Sequence, residues 1–426
     1  MNTVRIQSVV QKLLCVDQLL VENVSFDDVS GLVLDVRPSW RKPRCGMCGK
    51  KRCPGYDTPA RWTTEGDYVQ RPRRWRHLSL GRVSIWLRYT LRRAECPEHG
   101  VVTERVPWAN HESRFTTEFE ELTAYLAQQM DKTAVCTLLG INWRTVGTIV
   151  ARIVKTRLDP KRLENLYVIG VDEISFRRHH EYVTVVVDHA KRRVVWTGEG
   201  KGADTLKKFF DELGEERSKR ITDVTLDMSA AYIAAVRDRA PQATLTFDRF
   251  HVQKLANEAL DEVRRAEVRE AVGEKTSFIK KARWALLKNP WNLTRKQGQK
   301  LREIQQNNRR LYRAYLLKES LAKVLDYLQP GRASAALEDW LRWARRSRLK
   351  PFVKLAGTVA KHAEGILAYV KTRLTNGLTE GLNNLIRLIT RRAFGFHSAG
   401  ALQAMIQLCC GGIVLNPPLP SPTSFT

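Results

Sequence analysis

The stretch VIGVDEISF, residues 168–176, sets two adjacent carboxylates, Asp172 and Glu173, inside an apolar run. Along a strand successive side chains point to opposite faces. Asp172 therefore shares a side with Val168, Gly170 and Ile174, and Glu173 with Ile169 and Val171. An unpaired buried carboxylate is costly, so an acid placed here needs a chemical reason. Gly170 leaves room on the Asp172 side, which makes Asp172 the expected functional acid. Glu173 is expected to need an Arg or Lys partner from a packed helix.

Working outward, YVIGVDEISF, EYVTVVVDH and RRVVWTGEG read as three strands joined by short turns. ADTLKKFFDELG reads as a helix, ITDVTLDMS as a fourth strand, AAYIAAVRDRAP as a helix and ATLTFDRF as a fifth strand. That succession predicts a mixed α/β sheet over residues 165–255. Residues 256–370 are helical in pattern, punctuated by Pro290, Pro330-Gly331 and Pro351, and 371–412 continue helical. Ahead of the sheet lie an N-terminal segment, 1–40, a β-rich module, 41–115, and a helical stretch, 116–160. The Pro- and Ser-rich end, 413–426, reads as a disordered tail.

The chain has 426 residues, 43% of them hydrophobic, enough for two to four domains. No run of about 18 apolar residues predicts a membrane span, and MNTVRIQSVVQKLL is not a signal peptide. A cytoplasmic, nucleoid-associated protein is expected. The formal charge of +27 is spread over clusters such as RRLYR (309–313) and WARRSRLK (343–350). This is the electrostatic footprint of a nucleic-acid partner, and no RNA-recognition motif is visible.

Eight cysteines in such a chain suggest metal or core roles. Cys15, Cys136, Cys409 and Cys410 sit in apolar patterns and read as core thiols. Cys45-Gly-Met-Cys48 and Cys96-Pro-Glu-His99 are two pairs, each with two intervening residues. Each pair can chelate from a tight turn, giving a Cys₃His site for one structural Zn²⁺. Cys53 is a rival ligand. In AVCTLLGINWRTVGTIV, 134–150, Gly140 supplies a turn between two helices and Asn142 a cap for the second. This fits a helix-turn-helix whose Trp143, Arg144 and Thr145 face a DNA groove.

Three acids stand out: Asp172, Asp227 at the end of the fourth strand, and Glu380 at the start of a later helix capped by Thr375 or Asn376. Converging carboxylates of this kind bind two Mg²⁺ (or Mn²⁺) ions for phosphodiester chemistry. Asp248 in FDRFH reads as a strand end that caps the next helix, with His251 left open. His179-His180 read as a hairpin turn. Trp284, Trp291, Trp340 and Trp343 read mostly as core, with one available to stack on an extruded base.

The order of these features, together with VTLDMSAAYIAAV, FDRFHVQK and LTNGLTEGLNNLIRLITRRAFGFHS, resembles the DDE transposases of the ISL-three insertion-sequence family, from about residue 30 to 412. TEGLNN and DRFH are the most specific segments. The resemblance implies a ribonuclease-H-like core with a long all-α insertion before the last acid. The 153 residues from Asp227 to Glu380 agree with this. It matches the family's catalytic acids to Asp172, Asp227 and Glu380, and its zinc ligands to Cys45, Cys48, Cys96 and His99. His99 stands where many members have Cys.

The function so implied is a DNA transposase. It binds terminal inverted repeats and target DNA, cleaves and joins strands with metal ions, and works as a homodimer or larger synaptic complex. The rivals are a DNA-binding regulator without catalysis and a resolvase-like nuclease of the same fold.

Overall fold

The computed structural model describes residues 6–14, 16–29, 31–56, 72–177, 181–271 and 273–418. Cys15, His179-His180 and the last eight residues of the tail lie outside these. The chain divides into two compact units, residues 1–157 with 413–426, and residues 158–412.

In the first unit, α1 (Ile6–Leu14) precedes β1 (Leu19–Asp27), β2 (Gly31–Pro38), β3 (Arg73–Leu80) and β4 (Val83–Tyr89). They form one sheet in the order β1-β2-β4-β3, with β2 and β4 parallel. Residues 1–40 and 41–115 thus share a sheet. Leu34, Val36, Trp75, Leu87 and Trp108 fill its core. Gly31, at φ +87°, lets the turn into β2 pass so close to β4 that a Cβ would meet Ser84 O at 2.6 Å. A short hairpin follows, β5 (Arg93–Cys96) and β6 (Gly100–Thr103). Next come α2 (Thr117–Gln129), α3 (Lys132–Leu139) and α4 (Trp143–Arg157). Asn416 N–H donates to Glu121 Oε1 at 3.0 Å, fastening the described start of the tail to α2.

The second unit is built on β7 (Val168–Arg177), β8 (Glu181–Asp188), β9 (Arg193–Glu199), β10 (Asp223–Leu226) and β11 (Thr244–Phe247). The order is β11-β10-β7-β8-β9. The hairpin strands β7, β8 and β9 are antiparallel, while β10 and β11 run parallel to β7. Helices α5 (Ala203–Leu213), α6 (Glu215–Ser218) and α7 (Ala230–Arg239) supply the crossovers. All five expected strands are present.

Ile169 and Val171 on one side of β7 join Phe209, Phe210, Tyr232 and Val236 in the main core. That core continues through α8 (Arg249–Glu270), α9 (Glu274–Lys281), α10 (Arg283–Leu287), α11 (Arg295–Asn307), α12 (Arg309–Val324), α13 (Pro330–Arg346), α14 (Lys350–Lys361) and α15 (Ala363–Thr372). Helices α16 (Gly377–Arg392) and α17 (Ala399–Cys410) complete the unit. Cys410 is buried, while Cys136 and Cys409 are half-buried. Among the described residues no single helix is long and apolar enough to cross a membrane.

Candidate functional site

Cys45 and Cys48 come from a knuckle closed by Cys45 N–H to Lys50 O (3.0 Å) and Gly49 N–H to Cys45 O (2.9 Å). Cys96 and His99 come from the turn between β5 and β6. The four ligand atoms lie within 4.8 Å of one another. Cys48 Sγ is 3.8 Å from Cys96 Sγ, and His99 Nδ1 is 3.9 Å from Cys45 Sγ and 3.7 Å from Cys96 Sγ. A tetrahedron with zinc–sulfur bonds of about 2.3 Å has edges of about 3.8 Å, so spacing and donor set both suit a metal of that kind. The hydrogen bond with His99 leads the effects that push Cys96 down to about 6, which favours the ligating thiolate. Cys53 is set apart: its thiol faces Lys50 O at 3.4 Å, and burial raises its pKa.

Helices α3 and α4 meet at 101° around Gly140, within the range of a helix-turn-helix. Gly140 takes the left-handed conformation, and its carbonyl accepts from Arg76 Nη1 at 2.9 Å, tying the turn to β3. Asn142 Oδ1 accepts from Thr145 N–H at 2.8 Å and from the Thr145 hydroxyl at 2.9 Å, so Asn142 is the expected cap. Val146 and Ile149 are buried, whereas Trp143 and Arg144 are exposed. Thr145 spends its hydroxyl on the cap.

The acids gather where β10 ends beside β7. The register pairs Thr225 with Gly170, so Asp227 and Asp172 follow two residues further along neighbouring strands. The Asp172 side of β7 faces α16. A Cβ on Gly170 would lie 2.4 Å from Thr379 Oγ1 and 3.0 Å from His189 Nε2. Asp172 Oδ2 accepts from Asn383 Nδ2 at 2.6 Å and Oδ1 from Glu173 N–H at 2.8 Å. Asp227 Oδ1 accepts from Ser229 N–H at 2.9 Å, fixing the turn into α7. Burial holds Asp172 above the usual carboxylate range. The Asp227 charge adds to this, while the Glu173 N–H, His251 and Arg387 oppose it.

Glu173 differs from expectation. It is pushed up to about 7 by burial first, then by the charges of Asp227 and Asp172. Its Oε2 is buried without a hydrogen-bond partner among the described residues. Among the described residues no Arg or Lys of a packed helix pairs with it; the opposing charges are Lys201, in the loop after β9, and His251, on α8.

Glu380 is exposed in the first turn of α16, and among the described residues its carboxylate has no hydrogen-bond or ion-pair partner. The α16 residues turned to the sheet are Asn376, Thr379 and Asn383, all buried. Asn376 holds the cap position without a capping bond. Its Oδ1 accepts instead from Thr225 Oγ1 at 3.1 Å, and Thr225 Oγ1 contacts His189 Nε2 at 2.9 Å.

Asp248 holds the N-cap position of α8 but makes no capping bond. Its carboxylate faces His251 Nδ1 at 3.7 Å, and with Asp172 and Asp227 it raises the His251 pKa. His251 therefore belongs to the acidic cluster. Three of the four insertion tryptophans are exposed, Trp284, Trp291 and Trp343, against the expectation of core. Trp340 alone is buried, because its Nε1 finds Leu317 O at 2.8 Å.

Sequence reasoning missed Asn383. The signal was available, because polar residues at 376, 379 and 383 recur at helical spacing on the face that Ile386 continues.

Residues 169–406 match a family described as "Transposase", and residues 104–154 match the helix-turn-helix domain of transposase family ISL3. The transposase for insertion sequence element IS1557 of Mycobacterium tuberculosis is 40% identical over 433 residues, covering 94% of each chain. The transposase for insertion sequence element IS1001 of Bordetella parapertussis is 29% identical over 383 residues, covering 88% of this chain and 91% of its own. A helix-turn-helix ahead of an acid-bearing α/β unit, matched over nearly the whole length, places this chain in the ISL3 family of DDE transposases.

Proposed function

We propose that this transposase binds the terminal inverted repeats of its element and cleaves and transfers strands at a two-metal site held by Asp172, Asp227 and Glu380. The observation that carries this is the placement of Asp172 and Asp227 at the end of the β7–β10 pairing, where the Asp227 charge helps hold Asp172 above the usual carboxylate range. The core strand order, third-second-first-fourth-fifth with the second antiparallel, supports a ribonuclease-H-like fold. On this reading the core comprises 165–255 and 371–412, interrupted by the insertion 256–370.

The donors suit Mg²⁺ or Mn²⁺: they are carboxylate oxygens, and burial penalises the charge of Asp172. When bound, the two ions supply positive charge for in-line displacement at phosphorus. The chain's part is to hold the acids. Asn383 and the Glu173 N–H fix one Asp172 oxygen each, and Ser229 fixes Asp227. Glu380, exposed on α16 one turn before the Asn383 that bonds Asp172, completes the set when it turns inward with DNA in place.

Cys45, Cys48, Cys96 and His99 hold one structural Zn²⁺. Trp143 and Arg144 reach the bases, with Thr145 holding the cap behind them. Two ends must be joined in one reaction, so the working form is a homodimer or larger synapse.

The test is full-length, zinc-loaded protein with inverted-repeat DNA and Mg²⁺ or Mn²⁺. Asp227→Ala and Glu380→Gln are expected to bind DNA as wild type and to lose cleavage by at least about 10³-fold. Unchanged cleavage in Asp227→Ala would sink the metal-site assignment.

A further inference from the structure

The knuckle that carries Cys45 and Cys48 also builds a groove of about 550 Å³ lined by Trp40, Arg41, Lys42, Arg44, Lys51 and Arg52. Five of the six lining residues are cations and none is an acid. A neighbouring cavity of about 610 Å³ shares Trp40 and Arg44 and adds Arg73 and Arg105, together with Asp17 and Glu104.

Cations just outside the groove are neutralised: Lys50 pairs with Glu98 at 3.4 Å and Arg92 with Glu104 at 2.7 Å. Among the described residues the five groove cations have no carboxylate partner. Their backbone is nonetheless rigidly held. Arg44 O accepts from Arg105 N–H at 2.9 Å, Arg41 O from Arg92 Nη1 at 2.6 Å, and Cys53 N–H donates to Pro43 O at 3.1 Å. A fixed backbone that crowds like charges stores repulsion that a polyanion relieves. The Arg44 guanidinium lies over the Trp40 ring at 3.8 Å.

We propose that residues 40–52 form a phosphodiester clamp that grips the backbone of the duplex whose bases α4 reads. The observation behind this division of labour is local structure. The groove is irregular loop, with no helix or strand of its own to enter a DNA groove. Its lining is mostly long cationic side chains, which position a duplex without reporting its sequence. Arg144, by contrast, is exposed in the first turn of a capped helix, where a guanidinium can meet base edges. The inference rests on the proposed binding of transposon ends and assigns the metal knuckle a part in it.

The test compares full-length, zinc-loaded wild type with Lys51→Gln/Arg52→Gln and Arg41→Gln/Lys42→Gln. Fluorescence anisotropy is read with the element's inverted-repeat duplex and a scrambled duplex of equal length, over a KCl series. Zinc content and circular dichroism confirm that each variant folds. Each double variant is expected to weaken binding to both duplexes by a similar factor and to flatten the salt slope by about two. Arg144→Ala is expected to erase the preference for the inverted repeat while leaving most of the slope. An unchanged slope in both double variants, or a loss confined to the inverted repeat, overturns the clamp. Wild type that does not distinguish the two duplexes refutes the end-binding reading instead, whatever the variants do.

Discussion

Glu173 offers a sharp test because its cost depends on pH. Its carboxyl is pushed from 4.5 to about 7 in the folded protein by burial and by Asp227 and Asp172. Below about pH 4.5 it is protonated in both states and contributes nothing. Between pH 4.5 and 7 the folded state holds a proton that the unfolded state has released, so stability falls as pH rises. Above pH 7 the full penalty applies. At about 1.36 kcal/mol for each pH unit, the upper limit is about 3 kcal/mol, and partial solvent access reduces it to about 2 kcal/mol.

Glu173→Gln removes the charge and keeps the shape. In zinc-loaded, magnesium-free buffer it is expected to match wild type near pH 4.5 and to exceed it by about 2 kcal/mol at pH 8.5, read from urea unfolding of the 158–412 unit at a series of pH values. Cleavage should survive the change, because Glu173 lies on the other side of β7 from Asn383 and α16. A difference independent of pH would show that Glu173 is not buried among acids. A variant that folds well but has lost cleavage as fully as Asp172→Asn would show that the two faces of β7 have been assigned the wrong way round.

Asn383→Ala removes a 2.6 Å donor from Asp172, a bond to a charged group worth about 1.5–3 kcal/mol. Asp172, already raised by burial, moves further up, so the acid limb of the cleavage pH profile should shift to higher pH; a profile superimposable on wild type would remove Asn383 from any positioning role. Cys96→Ser should release the zinc, measured with a chromophoric chelator, and lower the affinity for inverted-repeat DNA, because the second chelating turn is then lost; zinc retained at one per chain would disprove the ligand set.

The contrast between what the sequence disclosed and what it concealed has a physical cause. Chelating pairs and alternating strands are local. Cys-x-x-Cys closes its own turn, and VIGVDEISF declares its two faces by its own period, so the metal knuckle, the five strands and the Asp172 face were legible. The phase of α16 is not local. Helical spacing puts Glu380 one turn before Asn383, and only docking on the sheet decides which of them lies over Asp172. Thr225 and Gly170 decide it: a threonine hydroxyl that Asn376 can accept from, and a glycine with room for Thr379. The tryptophans fail for the same reason, since a prior for aromatic burial says nothing about which helix face an insertion leaves uncovered.

The resulting arrangement gives the exposed Glu380 a meaning. An inward acid would add a further carboxylate charge to the cluster of Asp172, Asp227 and Glu173, which already lifts Asp172 and carries Glu173 to about 7. On the proposed two-metal reading, leaving Glu380 in solvent avoids that repulsion until cations and DNA phosphates are present together. On that logic cation affinity without DNA is set mainly by the two aspartates, and Glu380→Gln should leave it nearly unchanged while abolishing cleavage.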